Sequence, residues 1–273
     1  MRLRLAFALV CIAISAVGVL VAQRPFKEYQ AIEYEDFALP PDYQEKTEWT
    51  RARLHYSAVN PHGGGRRGGY GRLALHWTMD YPRSDRHLLQ GVRRLTRIHT
   101  RSVEQVVDLD GTDDVYNWPM LYAVEVGYWN LSDGEAHQLR DFLDRGGFFM
   151  CDDFHGVDEW ENFMASFSRV FPDREIVDIA DSDPIFHTLY DLDQREQVPG
   201  WQWYRTGSTS EYGGVEPHWR GVYDTKNRLV AVICHNMDLG DAWEWSDDPR
   251  YPERWASLAY RIAMNYFIYD LSH

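Results

Sequence analysis

Apolar and polar positions along the chain change their spacing in a regular way, and this predicts strands and helices in alternation. Short apolar or alternating stretches predict strands, and apolar positions three and four residues apart predict helices. The predicted strands are 50–59, 103–109, 119–126, 148–151, 219–223 and 229–235, and the main helices are 84–98, 132–145, 157–171 and 252–269. Ser84 is predicted to cap the first of these helices, and the stretches 198–214 and 236–248 are predicted as loops. This alternation predicts an α/β fold, a three-layer sandwich whose mainly parallel sheet has helices on both faces.

The segment 131–156 carries the clearest local signals. Ser132 is predicted to cap a helix and Glu135 to complete a capping box. Gly146 and Gly147 end that helix, as glycines in a left-handed conformation do. The next residues, Phe148 to Cys151, include no charged side chain, which predicts a strand covered on both sides.

Three polar residues follow this strand, namely Asp152, Asp153 and His155. Ligands of open α/β sheets bind at the carboxyl ends of the strands. We therefore take these three residues as the candidate catalytic residues. Carboxylates and imidazoles at such an edge can exchange protons during hydrolysis of a sugar or an amide, or can bind a hard or borderline cation.

Other polar and aromatic residues fall on predicted loops after strands and could join them at the same edge. The candidate binding residues are Asp80, His235, Asp238, Asp241, Trp243 and Glu244. Helix caps, turns and ordinary core positions explain the same residues without a ligand. The tryptophans at 129, 201, 203, 243 and 245 form either the wall of a cleft or part of a large aromatic core. No His-x-x-x-His or paired cysteine spacing occurs, so we predict neither a zinc site nor a cofactor.

The first 22 residues have the composition of an export signal. Arg2 and Arg4 precede an apolar run from Leu5 to Ala22. The run is about 18 residues long, near the lower limit for a membrane span, so an uncleaved anchor is the alternative. We accordingly divide the chain into a signal or anchor (1–22), a polar arm or linker (23–49) and one α/β domain (50–271).

Charge and cysteine content narrow the possible partners. Without Arg2 and Arg4 the chain has 26 basic residues and 42 acidic residues, which gives a net charge of −16. Such a chain is not expected to bind nucleic acid or anionic lipid through basic patches, so any membrane contact is expected to be a tether through residues 5–22. Cys151 and Cys234 both fall in predicted buried strands, which favours two free thiols over a disulfide.

Four blocks of the sequence resemble a bacterial family known only as a domain of unknown function, DUF4159. The blocks are WTMDYPRSDRHLL (77–89), YNWPMLYAVEVGYWNLSDGEAHQLRDFLDRGGFFMCDDFHG (116–156), SDPIFHTLYDL (182–192) and RGVYDTKNRLVAVICHNMDLGDAWE (220–244). The resemblance implies a flavodoxin-like sandwich related to the class I glutamine amidotransferase-like superfamily. It also implies that related domains often occur in longer membrane proteins together with a von Willebrand-type domain. The resemblance implies no particular reaction.

Two further motifs have simpler explanations than chemistry. Amidotransferases use a cysteine at a strand-to-helix turn, but Cys151 lies inside the predicted strand and no Gly-x-Cys-x-Gly surrounds it. Two carboxylates follow Cys151 and would raise its thiol pKa. The glycine-rich stretch 61–71 lacks the ending of a P-loop and the spacing of a dinucleotide fingerprint, so we predict a surface loop there.

We therefore expect an exported protein, periplasmic or anchored facing the periplasm. It is expected to act as a non-catalytic ligand-binding or assembly module of the cell envelope, because the sequence offers no complete set of nucleophile, base and orienting group. The alternative is a carboxylate- and histidine-based hydrolase, with or without a metal, that acts on an envelope sugar or peptide. The expected partners are envelope proteins or a small sugar or peptide ligand.

Overall fold

A computed structural model of the chain describes residues 23–29, 38–59 and 76–273. The predicted signal or anchor at 1–22 and the glycine-rich stretch at 61–71 lie outside the described residues. The polar arm is described only in part.

Seven strands and six helices are found in the described part of the chain. The strands are β1 (Ala52–His55), β2 (Gln105–Asp108), β3 (Met120–Val124), β4 (Phe148–Asp152), β5 (Val177–Asp178), β6 (His218–Tyr223) and β7 (Leu229–His235). The helices are α1 (Arg83–Leu95), α2 (Asp133–Asp144), α3 (Gly156–Val170), α4 (Gln202–Thr206), α5 (Leu239–Glu244) and α6 (Glu253–Ser272). Short 3₁₀ helices lie at His76–Thr78, Asp113–Asn117, Val126–Tyr128 and Pro184–Phe186.

The strands form one sheet in the order β2-β1-β3-β4-β7-β6-β5. The first five strands in this order run parallel, and β6 and β5 are antiparallel to their neighbours. The fold is therefore the α/β sandwich with a mainly parallel sheet that the sequence predicts. Because β1, β3, β4 and β7 are parallel, their carboxyl ends meet at one edge of the sheet.

Helices cover both faces of the sheet, and each face has its own apolar core. One core joins the sheet to α1, α5 and α6, and the other joins it to α2 and α3. Successive residues of β4 serve the two cores in turn, with Met150 in the first core and Cys151 in the second. All five residues of β4 are buried. The prediction of a strand covered on both sides is therefore confirmed.

The predicted signals around α2 are confirmed. The Ser132 side chain accepts a hydrogen bond from the backbone N–H of Glu135, whose carboxylate accepts one from the Ser132 N–H. Gly146 follows the helix with φ +113°, a conformation that other residues rarely adopt. Helix α2 is therefore fixed at both ends by residues that the sequence identifies.

Three local predictions are wrong. Ser84 does not cap α1, which begins at Arg83, because the Ser84 hydroxyl accepts a hydrogen bond from Arg51 instead. The stretch 236–248 is not a loop throughout, since it contains α5, whose N-cap Asp238 accepts a hydrogen bond from the Asp241 N–H. The stretch 198–214, also predicted as a loop, contains α4.

Cys151 and Cys234 are buried free thiols, as predicted. They belong to different cores on the two faces of the sheet, so their side chains point in opposite directions. Among the described helices, none combines the length and the apolar character that a membrane crossing requires.

Candidate functional site

Five carboxylates meet at the carboxyl edge of the sheet. They belong to Asp80, Asp153, Asp238, Asp241 and Glu244, and we call them the acidic cluster. Carboxylate oxygens of Asp80, Asp153 and Asp238 lie within 4.8 Å of one another, and so do those of Asp80, Asp241 and Glu244. Such spacing fits the oxygen ligands of one cation in each group.

Backbone conformation places two members of the cluster. Asp153 directly follows β4 with φ +53°, and Asp80 precedes α1 with φ +59°. Glu125 and Asn236, directly after β3 and β7, are left-handed as well. Non-glycine residues in this region cost on the order of 1 kcal/mol each and often occur at functional sites. Each of the three neighbouring parallel strands β3, β4 and β7 is therefore followed by a left-handed residue, and the chain turns sharply there at the edge of the sheet.

Helix α5 supplies the other three members. Asp238 caps its first turn, and Asp241 and Glu244 follow at intervals of three residues, so they share one side of the helix. Gly240 lies on the same helix and lets Asp80 approach closely. A Cβ atom at Gly240 would lie 2.1 Å from Asp80 Oδ2.

The cluster is mostly buried. Asp80, Asp238 and Glu244 are 2%, 4% and 1% exposed, and Asp153 is 9% exposed. This exposure is too low for a sugar ring or a peptide to reach the carboxylates of these four residues.

Three members of the cluster lack a positively charged partner within the described residues. Arg51 and Arg53 are the buried arginines nearby, but both are ion-paired with Asp85. Asp153, Asp238 and Asp241 form no ion pair with a described lysine or arginine. Burial raises the pKa values of Asp153 and Asp238 well above the usual value, and neighbouring carboxylates raise them further.

Gln202 of α4 approaches the cluster from the other side. An ideal Cβ atom on Gly200 would lie 2.7 Å from Gln202 Oε1, 2.4 Å from Asp238 Oδ2 and 2.8 Å from Asp241 Oδ2. The side-chain oxygen and nitrogen of Gln202 are buried, and neither forms a hydrogen bond with a described residue. A buried amide without partners is uncommon in folded proteins.

Asp152, a candidate catalytic residue, is not a member of the acidic cluster. Its Oδ1 accepts a hydrogen bond from the Tyr122 hydroxyl (2.5 Å), and its Oδ2 accepts from the backbone N–H groups of Leu239 and Gly240. Burial raises its pKa to about 6. Asp152 therefore holds the first turn of α5 against the end of β4.

The two histidine candidates occupy different positions. His155 is 2% exposed, and its Nε2 lies 3.3 Å from Asp153 Oδ1. His235 is separated from the acidic cluster, because its Nε2 donates to the Gly156 carbonyl and its ring packs on Phe154. Burial lowers the pKa of His155 to about 3 and that of His235 to about 4, so both rings are neutral at pH 7.

The aromatic candidates divide between the core and the surface. Trp243 is fully buried and packs over the Arg51 guanidinium at 4.7 Å, and Trp129 stacks on Phe163 in the opposite core. These two tryptophans are therefore part of the aromatic core and do not line a cleft. Trp201 and Trp245 are half-buried and stack on each other at 4.3 Å, and both donate hydrogen bonds to Asp241.

Comparison with known proteins agrees with the four sequence blocks. Residues 67–271 match the sequence profile of a domain of unknown function, DUF4159. The chain belongs to the DUF4159 family. Its match spans all the elements from α1 onwards and includes every member of the acidic cluster. None of the curated proteins compared with the chain is similar to it.

For this DUF4159 chain, sequence reasoning identified the five acidic residues but missed Gln202. The acidic residues are recognisable because each comes after a predicted strand. No local signal marks Gln202, which lies on a short helix in a stretch rich in tryptophan, tyrosine, serine and glycine. Only the folding of α4 against α5 brings its amide to the cluster.

Proposed function

We propose that this DUF4159 protein is an exported envelope module that binds a hard divalent cation, Ca²⁺ or Mg²⁺, in its acidic cluster. The bound ion would fix α5 and the loop before α1 onto the edge of the sheet. The surface built by these elements would then bind an envelope protein or a small sugar or peptide.

The observation that carries this proposal is the convergence of five carboxylates at a buried edge, where Asp153, Asp238 and Asp241 form no ion pair with a described lysine or arginine. Buried charges of one sign cost free energy unless a counter-charge or protonation removes the repulsion. A cation provides that counter-charge. Ligands that are all oxygen favour calcium, magnesium or manganese over zinc or copper.

Export to the envelope is supported by the basic and apolar start of the chain. Extracytoplasmic calcium modules commonly bind with dissociation constants on the order of 10⁻⁴ to 10⁻³ M. A weak site of this kind would suit a protein that meets calcium outside the cytoplasm.

The relation to class I glutamine amidotransferase-like proteins belongs to the proposal too. It is supported by the mainly parallel sheet and by the helix–Gly-Gly–strand unit at 132–152, which resembles that of trehalose-utilisation-type members of the superfamily. The thiol chemistry of such enzymes is not part of it, because Cys151 is fully buried and burial raises its thiol pKa well above the usual value.

A second candidate is a cation-assisted hydrolase of an envelope sugar or peptide. The contact between Asp153 and His155 favours it, since Asp153 belongs to the acidic cluster and lies beside a neutral imidazole. In this case His155 would exchange protons with a water bound at the cation. The low exposure of the cluster favours the binding module over this alternative.

Metal binding by the purified full-length chain tests the proposal. After removal of metal with a chelator, addition of millimolar CaCl₂, MgCl₂ or MnCl₂ should raise the melting temperature, and Asp153→Asn should reduce the increase. Asp133→Asn, at a highly exposed position on α2, is the control that should behave as the parent. Identical melting curves with and without all three cations would refute the proposal. Hydrolysis of envelope glycans or peptides that requires the cation would favour the hydrolase.

A further inference from the structure

Three aromatic rings form a stack at the surface beside α5, and we call them the ring stack. Trp201 is the middle ring, since its centroid lies 4.3 Å from that of Trp245 and 5.2 Å from that of Tyr204, with the planes nearly parallel. We infer that the ring of Tyr204 binds a neutral pyranose sugar, and that Arg250 and Asp248 bond to the hydroxyls of that sugar. This inference rests on the proposed function and specifies the class of surface ligand and the residues that contact it.

Tyr204 is the open end of the ring stack. It lies on α4 and is 51% exposed, whereas Trp201 and Trp245 are half-buried. The guanidinium carbon of Arg250 lies 5.0 Å from the ring centroid of Trp201 and 5.4 Å from that of Tyr204. A group over the outer face of Tyr204 would be farther from Trp201 than Tyr204 itself is, so Arg250 lies beside the two rings. The outer face of Tyr204 is therefore the part of the stack that a ligand can reach.

An exposed tyrosine face suits the apolar face of a sugar. A pyranose has C–H groups on its faces and hydroxyls around its rim, and an aromatic ring offers a flat apolar surface at a low cost in conformational entropy. The rings behind Tyr204 are fixed, because the Trp201 backbone N–H and the Trp245 indole N–H both donate to the Asp241 carboxylate. Tyr204 is thus held in place before a ligand arrives, which favours binding.

Arg250 and Asp248 supply polar groups beside this face. Arg250 Nε donates to Asp248 Oδ1 at 2.9 Å, and Arg250 Nη2 lies 2.6 Å from Asp248 Oδ2. A guanidinium has more N–H groups than these two bonds use, and the carboxylate has further lone pairs. Sugar hydroxyls both donate and accept hydrogen bonds. They can therefore bond to both members of the pair without separating the charges.

Charge at the ring stack favours an uncharged ligand. Arg250 is paired with Asp248, and Arg83, which lies 5.0 Å over the ring of Trp245, is paired with Asp247. A charged ligand would have to compete with these pairs. An anionic ligand would also be repelled by the chain, whose net charge is −14. A neutral sugar meets neither obstacle, so it fits this surface better than a charged peptide does.

Binding of two neutral sugars tests the inference. The probes are cellotriose and the trimer of N-acetylglucosamine, which both consist of uncharged pyranose rings. Tryptophan fluorescence of the full-length chain should change saturably at roughly millimolar sugar, as expected for a ligand with one ring contact. Saturation-transfer NMR should show the strongest transfer to the C–H protons of the sugar. Failure of both sugars to bind at tens of millimolar would overturn the inference.

Substitutions at Tyr204 locate the contact. Tyr204→Ala should weaken binding by about fivefold, because it removes the ring face. Tyr204→Phe should keep the affinity of the parent, since the face makes the contact and the hydroxyl does not. Tyr212→Ala is the matched control, because Tyr212 is also 51% exposed but lies outside the ring stack. Equal losses in the two alanine variants would overturn the assignment to Tyr204.

Arg250→Ala tests the polar contacts. It should weaken sugar binding by about threefold through lost hydrogen bonds. Arg145→Ala is its control, since Arg145 also pairs with a carboxylate, Asp141 at 2.8 Å, and lies over a tyrosine ring, Tyr116 at 4.6 Å. Circular dichroism identifies any variant that fails to fold. If Tyr204→Ala does not fold, unchanged binding by Arg250→Ala would still overturn the inference.

The outcomes separate this inference from the proposed cation site. Stabilisation by CaCl₂ without binding of either sugar would overturn the sugar site and leave the cation-binding module intact. Sugar binding through Tyr204 by a chain that no cation stabilises would support the sugar site and refute the cation site. A polyproline peptide that binds at Tyr204 more tightly than both sugars would overturn the choice of a sugar.

Discussion

Asp80 Oδ2 occupies the space where Gly240 would carry a Cβ atom, 2.1 Å from its ideal position. The contact joins the loop before α1 to the first turn of α5, two segments 160 residues apart in the sequence. Any side chain at Gly240 must displace the Asp80 carboxylate, which is 2% exposed and has little room to move. The arrangement of the acidic cluster therefore depends on a glycine that is not itself a ligand.

Gly240→Ala should disturb cation binding more than it disturbs folding. The displaced atom is the end of a short side chain, so the expected loss of stability is about 1–2 kcal/mol, toward the low end for overpacking. Cation affinity should fall by about tenfold or more, equivalent to at least about 1.4 kcal/mol of binding free energy. Calorimetric titration and thermal unfolding measure the two effects.

Gly134→Ala is the matched control for that substitution. Gly134 also lies in the first turn of a helix, α2, but the nearest atom to its ideal Cβ position is Ser132 Oγ at 3.9 Å. This variant should bind cations as the parent does and gain about 0.5–1 kcal/mol of stability. Equal effects of the two alanines on cation affinity would show that the contact with Asp80 does not matter.

Asp153→Asn should weaken cation binding without destabilising the metal-free folded state. Asparagine adopts the left-handed conformation of Asp153 readily and removes one charge from the cluster, so the metal-free variant should be at least as stable as the parent at pH 8. The parent should gain about 2.7 kcal/mol when the cation is at a hundred times its dissociation constant. This corresponds to roughly 5–10 °C in melting temperature for a chain of this size.

Thermal unfolding with a chelator and with CaCl₂ checks both parts of this expectation. The variant should lose most of the calcium-induced increase. A metal-free variant that melts well below the metal-free parent would mean that Asp153 has a structural role independent of any ion.

Ser132→Ala should weaken the N-terminus of α2. The substitution removes the acceptor for the Glu135 N–H and should cost about 1 kcal/mol, or roughly 2–4 °C in melting temperature. Ser257→Ala, at an exposed position inside α6, should change stability by no more than about 0.5 kcal/mol. Denaturant unfolding of both variants measures the difference, and equal effects would argue against the capping box.

Asp270 should make the protein less stable as the pH rises. Burial near the end of α6 raises its pKa from 3.8 to about 8. The folded state therefore binds more protons than the unfolded state between these values, and stability falls as pH increases from about 4 to about 8. Since Asp270 is partly exposed, the total loss should be on the order of 2 kcal/mol.

Asp270→Asn should remove this dependence. The variant and the parent should have similar free energies of unfolding at pH 4, and the variant should be more stable at pH 8. Urea unfolding at several pH values gives the comparison. A difference between the two proteins that stays constant from pH 4 to pH 8 would show that Asp270 titrates normally.

Local signals predicted the elements well where several of them coincided. The capping box at Ser132, the glycines after α2 and the uncharged strand β4 all occur as expected. Prediction failed where a side chain had a distant partner. Ser84 resembles a cap in the sequence, but Arg51, 33 residues earlier, takes its hydroxyl.

The candidate site shows the same contrast between local sequence signals and contacts with distant residues. The sequence places its carboxylates after strands but gives each an equally ordinary role as a cap or turn residue. Asp238 has both roles, since its Oδ1 caps α5 while it also belongs to the acidic cluster. Asp152 has only the structural role, although the sequence presents it as the equal of Asp153.

By itself the sequence determined the α/β class, the order of the main strands and helices, and the edge at which polar residues gather, because these follow from periodicity and from short-range capping. The tertiary structure decided which carboxylates meet, that Asp80 belongs to both groups, and that Gln202 joins them. These facts depend on how α4, α5 and the loop before α1 pack against one another. Packing between segments far apart in the chain has no periodic trace in the sequence.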